Sequence, residues 1–107
     1  MRFIRRDAQE GGVATAVDPV AGIGHALAAA TVSGPQVGLA MLESLESDLT
    51  DDYRLSAARA HLLELAGHEL DARDDYRAAA QKTPDRTEER YLLSRASRLT
   101  ELLESSL

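Results

Sequence analysis

Apolar residues recur every three or four positions along most of this chain, in segments that glycine and proline separate. This spacing puts apolar side chains on one face of an α-helix, and no segment shows the alternation of a half-buried β-strand. The sequence therefore predicts an all-α protein of about five helices. The predicted apolar faces are, in chain order, Val20, Ile23, Leu27 and Ala30; Leu39, Leu42, Leu45 and Leu49, widened by Val37 and Met41; Leu55, Ala58, Leu62 and Ala66; Ala72, Tyr76 and Ala79; and Leu92, Ala96, Leu99 and Leu103.

Residues with strong preferences for helix ends mark the predicted boundaries. Asp18 and Pro19 stand in the order expected of an N-cap and a first helical residue. Gly67 follows the third apolar face, where a left-handed glycine would end a helix. The remaining bounds are a break at Ser33 and Gly34, a second helix from Pro35 to Leu49, a third from Asp51 or Asp52, a fourth from about Glu69 to Lys82, and a last helix that opens at Thr87 and continues to the C-terminus.

Connections of a few residues between these helices predict that neighbours fold back on one another as antiparallel hairpins. Alanine is abundant at the predicted contact positions, so the helices are expected to approach closely. Gly22 and Gly24 are expected to serve the same close approach, at a cost in helix propensity of about 1 kcal/mol each. We expect residues 1–17 to form a flexible leader and residues 18–107 to form one helical domain.

Charge and composition exclude several classes of function. The chain of 107 residues has 18 acidic and 12 basic side chains and a net charge of -6, so its surface is expected to repel nucleic acid. Arg2, Arg5 and Arg6 form one basic cluster, which a short solvated terminal segment would explain. The chain has no cysteine, which excludes disulfides, thiolate metal sites and cysteine nucleophiles. No apolar stretch is long enough for a membrane span or a secretory signal, so we expect a soluble cytoplasmic protein with no membrane partner.

The segment from Leu65 to Pro84 has the order glycine, alanine, aromatic, alanine and proline. Gly67 and Ala72 are followed by Tyr76 four residues later and by Ala79 three residues after that. This order resembles the second half of a tetratricopeptide repeat, and the resemblance implies a short array of stacked helix hairpins in which Tyr53 to Pro84 form one repeat. Other positions depart from the repeat pattern: Ser56 replaces the usual aromatic residue, Arg59 replaces a leucine, and Glu43 falls where the first hairpin should carry an aromatic residue.

A longer stretch, from about Pro19 to Leu99, resembles the tetratricopeptide-like C-terminal extension of bacterial RNA polymerase sigma factors of the extracytoplasmic-function class. The matching motifs are "GHALAAATVSGPQVGLAMLESL" and "YRLSAARAHLLELAGHELDARDDYRAAAQKTPDRTEERYLLSRASRL". Nothing in the chain resembles the promoter-recognising or polymerase-binding domains of those proteins. The resemblance therefore implies a regulatory, protein-binding helical module, related to transcription but without direct DNA binding.

In tetratricopeptide proteins the first helix of each hairpin lines a concave groove that holds a peptide or a helix. Carried over by spacing from Gly67 and Ala72, that role would fall to five residues of mixed character, for which a solvated helix face is the alternative interpretation. They are Arg54, Ala57, His61, Glu64 and Leu65. Such a surface suits a polar peptide bound with micromolar affinity.

Metal and catalytic chemistry find little support in the sequence. His61, Glu64 and His68 recur at helical spacing, but His68 lies beyond Gly67, where the helix should have ended, so we expect no metal site and no cofactor. The carboxylates gather at predicted helix starts, where they favour the helix dipole, and no nucleophile motif is present. We therefore expect a protein that is not an enzyme.

The last helix carries more apolar surface than one neighbour would bury, which predicts a homodimer formed through Leu99, Leu102, Leu103 and Leu107. An alternative function is a small-molecule sensor or small enzyme whose pocket lies between the hairpins. Arg54 and His61 would then be the polar contacts of the bound molecule.

Overall fold

The computed structural model describes residues 18–106 of the chain, so the expected leader at residues 1–17 lies outside the described residues. Within them the protein has five α-helices and no β-strand, which confirms the predicted all-α class. The helices are α1 (Pro19–Ser33), α2 (Pro35–Glu43), α3 (Tyr53–Leu65), α4 (Glu69–Lys82) and α5 (Arg86–Ser105).

Most helix ends follow from local chemistry. The side chain of Asp18 accepts a hydrogen bond of 3.0 Å from the backbone N–H of Val20, and Pro19 is the first helical residue, as predicted. Gly67 has φ +86°, in the left-handed region, and ends the turn after α3. The last helix begins one residue earlier than predicted because Asp85 caps it by accepting from the N–H groups of Thr87 and Glu88.

The second helix is shorter than predicted. It ends at Glu43, and a series of turns continues from there to residue 51. The Ser44 hydroxyl donates to the Met41 carbonyl, and the backbone N–H of Leu45 donates to the carbonyl of Leu42. These local bonds replace the regular helical pattern. Leu49 is nevertheless buried in the core. The predicted apolar face is therefore correct at this position, whereas the predicted helical backbone is not.

Each helix packs against the next one in the chain, and α1 also contacts α3. Gly38 of α2 faces Ala26 and Ala30 of α1, whereas Leu45, seven residues further on, faces Gly22 near the start of α1. This reversed order makes α1 and α2 an antiparallel hairpin. The second hairpin, α3 and α4, is antiparallel as well, since Ser56 near the start of α3 contacts Lys82 at the end of α4.

The central helix α3 serves two cores. One side contributes to a first core cluster with α1, α2 and the following turns; the other side contributes Ala60 to a second core cluster with α4 and α5. The predicted faces of α4 and α5 are buried at Ala72, Tyr76, Ala79, Leu92, Ala96 and Leu99. The first cluster comprises Ile23, Ala26, Ala30, Leu42, Leu49, Leu55, Ala58 and Leu62, and the second Ala60, Ala72, Tyr76, Ala79, Ala80, Leu92, Ala96 and Leu99.

Close approach is tightest at Gly38, and of the two glycines singled out from the sequence only Gly22 has a close neighbour. A Cβ at Gly38 would lie 2.7 Å from the Ala26 carbonyl oxygen and 2.8 Å from the Ala30 Cβ. At Gly24 a Cβ would meet nothing within 4 Å, so the expected contact role of Gly24 is wrong. At Gly22 it would meet the flexible side chain of Leu45 at 3.0 Å.

Candidate functional site

The residues predicted to line a concave groove divide between internal contacts and one small cleft. His61 and Leu65 are exposed and line a cleft of about 160 Å³ between α1 and α3, with Leu27 and Thr31 on its opposite wall. Ala57 is half-buried against the second core cluster. The cleft is smaller than the pockets that usually hold small molecules, which are about 300 to 1,000 Å³.

Two charged members of the predicted groove have partners within the protein. Arg54 binds the carboxylate of Asp52 through Nε and Nη2, at 2.9 and 2.7 Å, next to the start of α3. These hydrogen bonds hold the pKa of Asp52 below its usual value. Arg54 therefore stabilises its own helix start. It does not line the α1–α3 cleft, so the structure does not join it to His61 as the polar contacts of one pocket.

Glu64 faces α5 and connects three helices. Its carboxylate accepts hydrogen bonds from Nη2 of Arg95, at 2.7 and 2.8 Å, and from the hydroxyl of Tyr76, at 2.9 Å. The Arg95 guanidinium carbon also lies 5.9 Å from the centre of the Tyr76 ring, within cation–π distance. Within residues 18–106 the buried Nε of Arg95 has no hydrogen-bond partner.

The pKa shifts of Glu64 and Tyr76 are those expected of a structural ion pair and hydrogen bond. Burial raises the pKa of Glu64, but the hydrogen bonds from Arg95 and Tyr76 outweigh it, and the net pKa is below the usual value. Burial, together with the hydrogen bond to Glu64, raises the pKa of Tyr76 to about 12. Glu64 therefore stays ionised and paired, and joins α3 to α4 and α5.

A larger opening lies on the other side of α3, against α2 and the turns that follow it. It has two adjacent parts of about 450 and 510 Å³, which share Glu43, Glu46 and Arg59. We call this opening the α2–α3 groove. Its full lining is Gln36, Leu39, Ala40, Glu43, Glu46, Ser47, Thr50, Leu55, Ser56, Arg59 and Leu63.

The walls of the α2–α3 groove combine apolar and acidic surface. Leu39 and Leu63 are partly buried and form an apolar floor, and Ala40 is exposed beside them. Glu43 is exposed on the rim and forms no ion pair with any residue of the described part of the chain. The groove can therefore accept an apolar side chain and a cation next to each other.

Arg59, in the middle of the groove, binds one residue in the turns after α2 and one residue of α4. Its Nη1 lies 2.8 Å from Oε2 of Glu46, and its Nε lies 2.7 Å from Oδ2 of Asp75 on α4. The hydrogen bond to Asp75 raises the pKa of Arg59 although burial opposes it. Nearby, the buried hydroxyl of Ser56 accepts a hydrogen bond of 3.2 Å from Nζ of Lys82. These contacts fix the shape of the groove in the absence of a partner.

The sequence contained a signal for this groove that was interpreted differently. Glu43, Ser56 and Arg59 are the positions at which the chain departs from the tetratricopeptide pattern, where two aromatic residues and a leucine are usual. All three line the same part of the α2–α3 groove. Polar side chains where the repeat has large apolar ones leave the space between the hairpins open. These departures from the repeat pattern therefore coincide with the α2–α3 groove.

The residues predicted to form a dimer lie in different environments. Leu99 is 1% exposed and belongs to the second core cluster, so it does not lie on an exposed surface as predicted. Leu102 is 45% exposed, and Leu103 is half-buried beside Leu70 at the open end of α5. Leu107 lies outside the described residues. The homodimer stays a prediction, which sedimentation at micromolar concentration would test.

Two further properties concern metals and membranes. No three histidine or acidic residues among positions 18–106 are grouped in a way that could hold a metal ion, and His68 lies beyond the end of α3 as expected. None of the five helices combines the length and the apolar character that crossing a membrane requires.

Comparisons of the chain with models of protein families, with curated protein sequences and with solved structures found no match. The resemblance to the tetratricopeptide-like extension of sigma factors therefore stays a prediction.

Proposed function

We propose that this protein is a non-catalytic protein-binding module that holds a short segment of a partner protein in the α2–α3 groove. The observation that supports this most directly is the groove itself, which is open to solvent, has an apolar floor at Leu39 and Leu63, and lies at the junction of the two hairpins. A rigid scaffold with a preformed groove binds a peptide without having to order itself first.

The chemistry of the groove defines the kind of partner. An apolar side chain would displace water from the floor formed by Leu39 and Leu63, and an arginine or lysine beside it would approach the carboxylate of Glu43. Charge complementarity of this kind favours rapid association and selection of the correct partner. Because few aromatic anchors are available, we expect a dissociation constant in the micromolar range.

The resemblance to the sigma-factor extension adds a proposal about context. A helical module of that kind would act as a regulatory element of the transcription machinery, through contacts with protein rather than with DNA. The acidic balance of the chain agrees with a protein partner of basic character.

A small-molecule sensor is the second candidate. Its support is the volume of the α2–α3 groove, about 450 Å³ in its more apolar part, which falls within the usual range of ligand pockets. The polar contacts would then be Glu43 and Arg59. The Arg54 and His61 pair expected from the sequence lies elsewhere.

Selection from a phage-displayed library of short random peptides tests the proposal. Peptides enriched on the full chain are expected to pair an apolar residue with arginine or lysine. Ala40→Lys, at an exposed position of the groove wall, should weaken their binding by about tenfold or more, because it adds bulk and a like charge. Ala28→Lys makes the same change at an exposed position of α1 and should leave binding unchanged. Equal binding to both variants would reject the α2–α3 groove as the site.

A further inference from the structure

The basic cluster near the N-terminus is the one sequence feature that the proposed function leaves unexplained. Arg2, Arg5 and Arg6 surround the apolar pair Phe3 and Ile4. This is the composition, an apolar residue between cations, that the α2–α3 groove is suited to bind. The remainder of the chain has the opposite balance: without the two acidic and three basic residues of positions 1–17, it retains 16 acidic and nine basic side chains.

The start of α1 packs against the turns that follow α2, and Glu46, Ser47 and Thr50 of these turns line the α2–α3 groove. Gly22, in the first turns of α1, faces the side chain of Leu45, to which an added Cβ would lie at 3.0 Å. Leu45 stands between Glu43 and Glu46, which belong to both parts of the groove. A segment that precedes Asp18 therefore leaves the folded domain on the side of the turns that border this groove.

The intervening chain is long enough to reach along it. Eleven residues separate Arg6 from Asp18, and an extended chain of that length spans up to about 36 to 40 Å. The α3 wall of the groove runs from Leu55 to Leu63, a rise of about 12 Å along a helix. Gly11 and Gly12 lie in the connecting stretch and permit a sharp change of direction.

We propose that the segment Arg2–Arg6 docks in the α2–α3 groove of its own chain, with Phe3 or Ile4 against Leu39 and Leu63 and with its arginines beside Glu43 and Glu46. The inference rests on the proposed function, because it assigns an occupant to the same groove. A partner protein then has to displace this segment, so the N-terminal residues set the threshold at which the module binds.

Because the segment Arg2–Arg6 belongs to the same chain as the groove, even weak binding would keep the groove occupied. A connection of this length holds its two ends at an effective concentration of the order of millimolar. A segment with an intrinsic dissociation constant of about 100 μM would then occupy the groove most of the time. Its presence would weaken the apparent affinity of a competing peptide by about tenfold.

Paramagnetic relaxation in the full chain tests the docking. Because the chain has no cysteine, Ala8→Cys provides a single attachment point for a spin label beside the basic cluster. We expect the label to broaden the amide signals of Ala40, Glu43 and Leu63 more than those of Thr31 and Leu65, which lie at the α1–α3 cleft on the other side of α3. The preference should decrease as salt is raised, since the contacts are partly ionic.

Two controls define the result. Replacement of Arg2, Arg5 and Arg6 by glutamate in the labelled chain should abolish the preferential broadening. In a mixture of spin-labelled chain without isotope enrichment and isotope-enriched chain without a spin label, no preferential broadening should appear, because docking is within one molecule. Broadening that is equal on both sides of α3, that survives the charge reversal, or that appears in the mixture would overturn the proposal.

A competition measurement separates this inference from the proposed function. A library-selected peptide that binds the α2–α3 groove should bind the arginine-to-glutamate variant about tenfold more tightly than the unaltered chain. Groove-dependent binding with equal affinity for both chains would overturn self-docking and leave the proposed function intact. Failure of both chains to bind any peptide at the groove, with the broadening as expected, would reject partner binding and leave the self-contact standing.

Discussion

The two core clusters share α3 but achieve close packing in different ways. The first cluster is filled mainly by aliphatic side chains and depends on Gly38, whose missing side chain lets α2 approach Ala26 and Ala30 of α1. The second cluster is rich in alanine, and Tyr76 is its one buried aromatic residue, with the partly buried Tyr53 packed against it. The Glu64–Arg95 ion pair joins α3 to α5 across the second cluster, whereas the more exposed Arg59–Glu46 pair joins α3 to the turns after α2 beside the first.

The difference shows how a chain with only 4% aromatic residues builds two cores. A glycine removes one side chain at the tightest point of the first core. In the second core, alanine side chains let the helices approach closely, so Tyr76 and the buried leucines supply most of the side-chain volume, and the Glu64–Arg95 ion pair joins two of the helices. The first core should therefore be sensitive to added volume and the second to lost volume.

Removal of the Tyr76 ring should have the largest effect on the free energy of unfolding. Tyr76→Ala deletes a side chain that is 2% exposed and should lower the free energy of unfolding by about 3 to 5 kcal/mol. The matched change Tyr91→Ala, at a position 55% exposed, should alter it by about 0.5 kcal/mol or less. Urea denaturation followed by circular dichroism measures both. Similar values for the two variants would show that Tyr76 does not fill the second core.

Added volume at Gly38, the tightest point of the first core, should have the second largest effect on the free energy of unfolding. Gly38→Ala places a methyl group within 2.8 Å of both Ala26 and Ala30 and should lower the free energy of unfolding by about 1 to 3 kcal/mol. Gly24→Ala meets no neighbour and should raise it by up to about 1 kcal/mol through helix propensity. Thermal and urea unfolding compare the two. Stabilisation by both substitutions would contradict the close approach at Gly38.

Loss of the ion pair should have the smallest effect and should depend on pH. Because the pKa of Glu64 is lowered in the folded state, its contribution is present above the ordinary carboxyl pKa of about 4.5 and is lost as the pH falls further. Glu64→Gln should lower the free energy of unfolding by about 1 to 2 kcal/mol at pH 7. This difference from the unaltered chain should shrink as the pH is lowered from about 5 to 3. A difference that stays constant over that range would exclude the charge of Glu64 as its cause.

Much of the fold was predictable because helix ends depend on neighbouring residues. Asp18 with Pro19 and the left-handed Gly67 act locally, and the bounds of α4 were predicted correctly for the same reason. The end of α2 was not predicted because the chain passes from helix into a series of local turns after Glu43 without a break in the apolar spacing. Leu45 and Leu49 keep their contacts with the first core from tighter turns, which a periodic pattern does not distinguish from a helix.

The site was less predictable because spacing shows which face a residue is on and not what lies opposite. Glu64 is on the predicted face, but its carboxylate binds Arg95, which lies 31 residues further along the chain. The close contact at Gly38 was not predicted for the same reason, because the distance between α1 and α2 depends on how the two helices pack. The α2–α3 groove was visible only as three departures from a repeat pattern.

The central claim is that the α2–α3 groove, and not the α1–α3 cleft, binds a partner segment. It is tested most directly by titrating isotope-labelled chain with a library-selected peptide and mapping the amide shift changes. The largest changes are predicted at Ala40, Glu43 and Leu63. Changes centred on Thr31, His61 and Leu65 would place the peptide in the cleft on the other side of α3 and contradict the account.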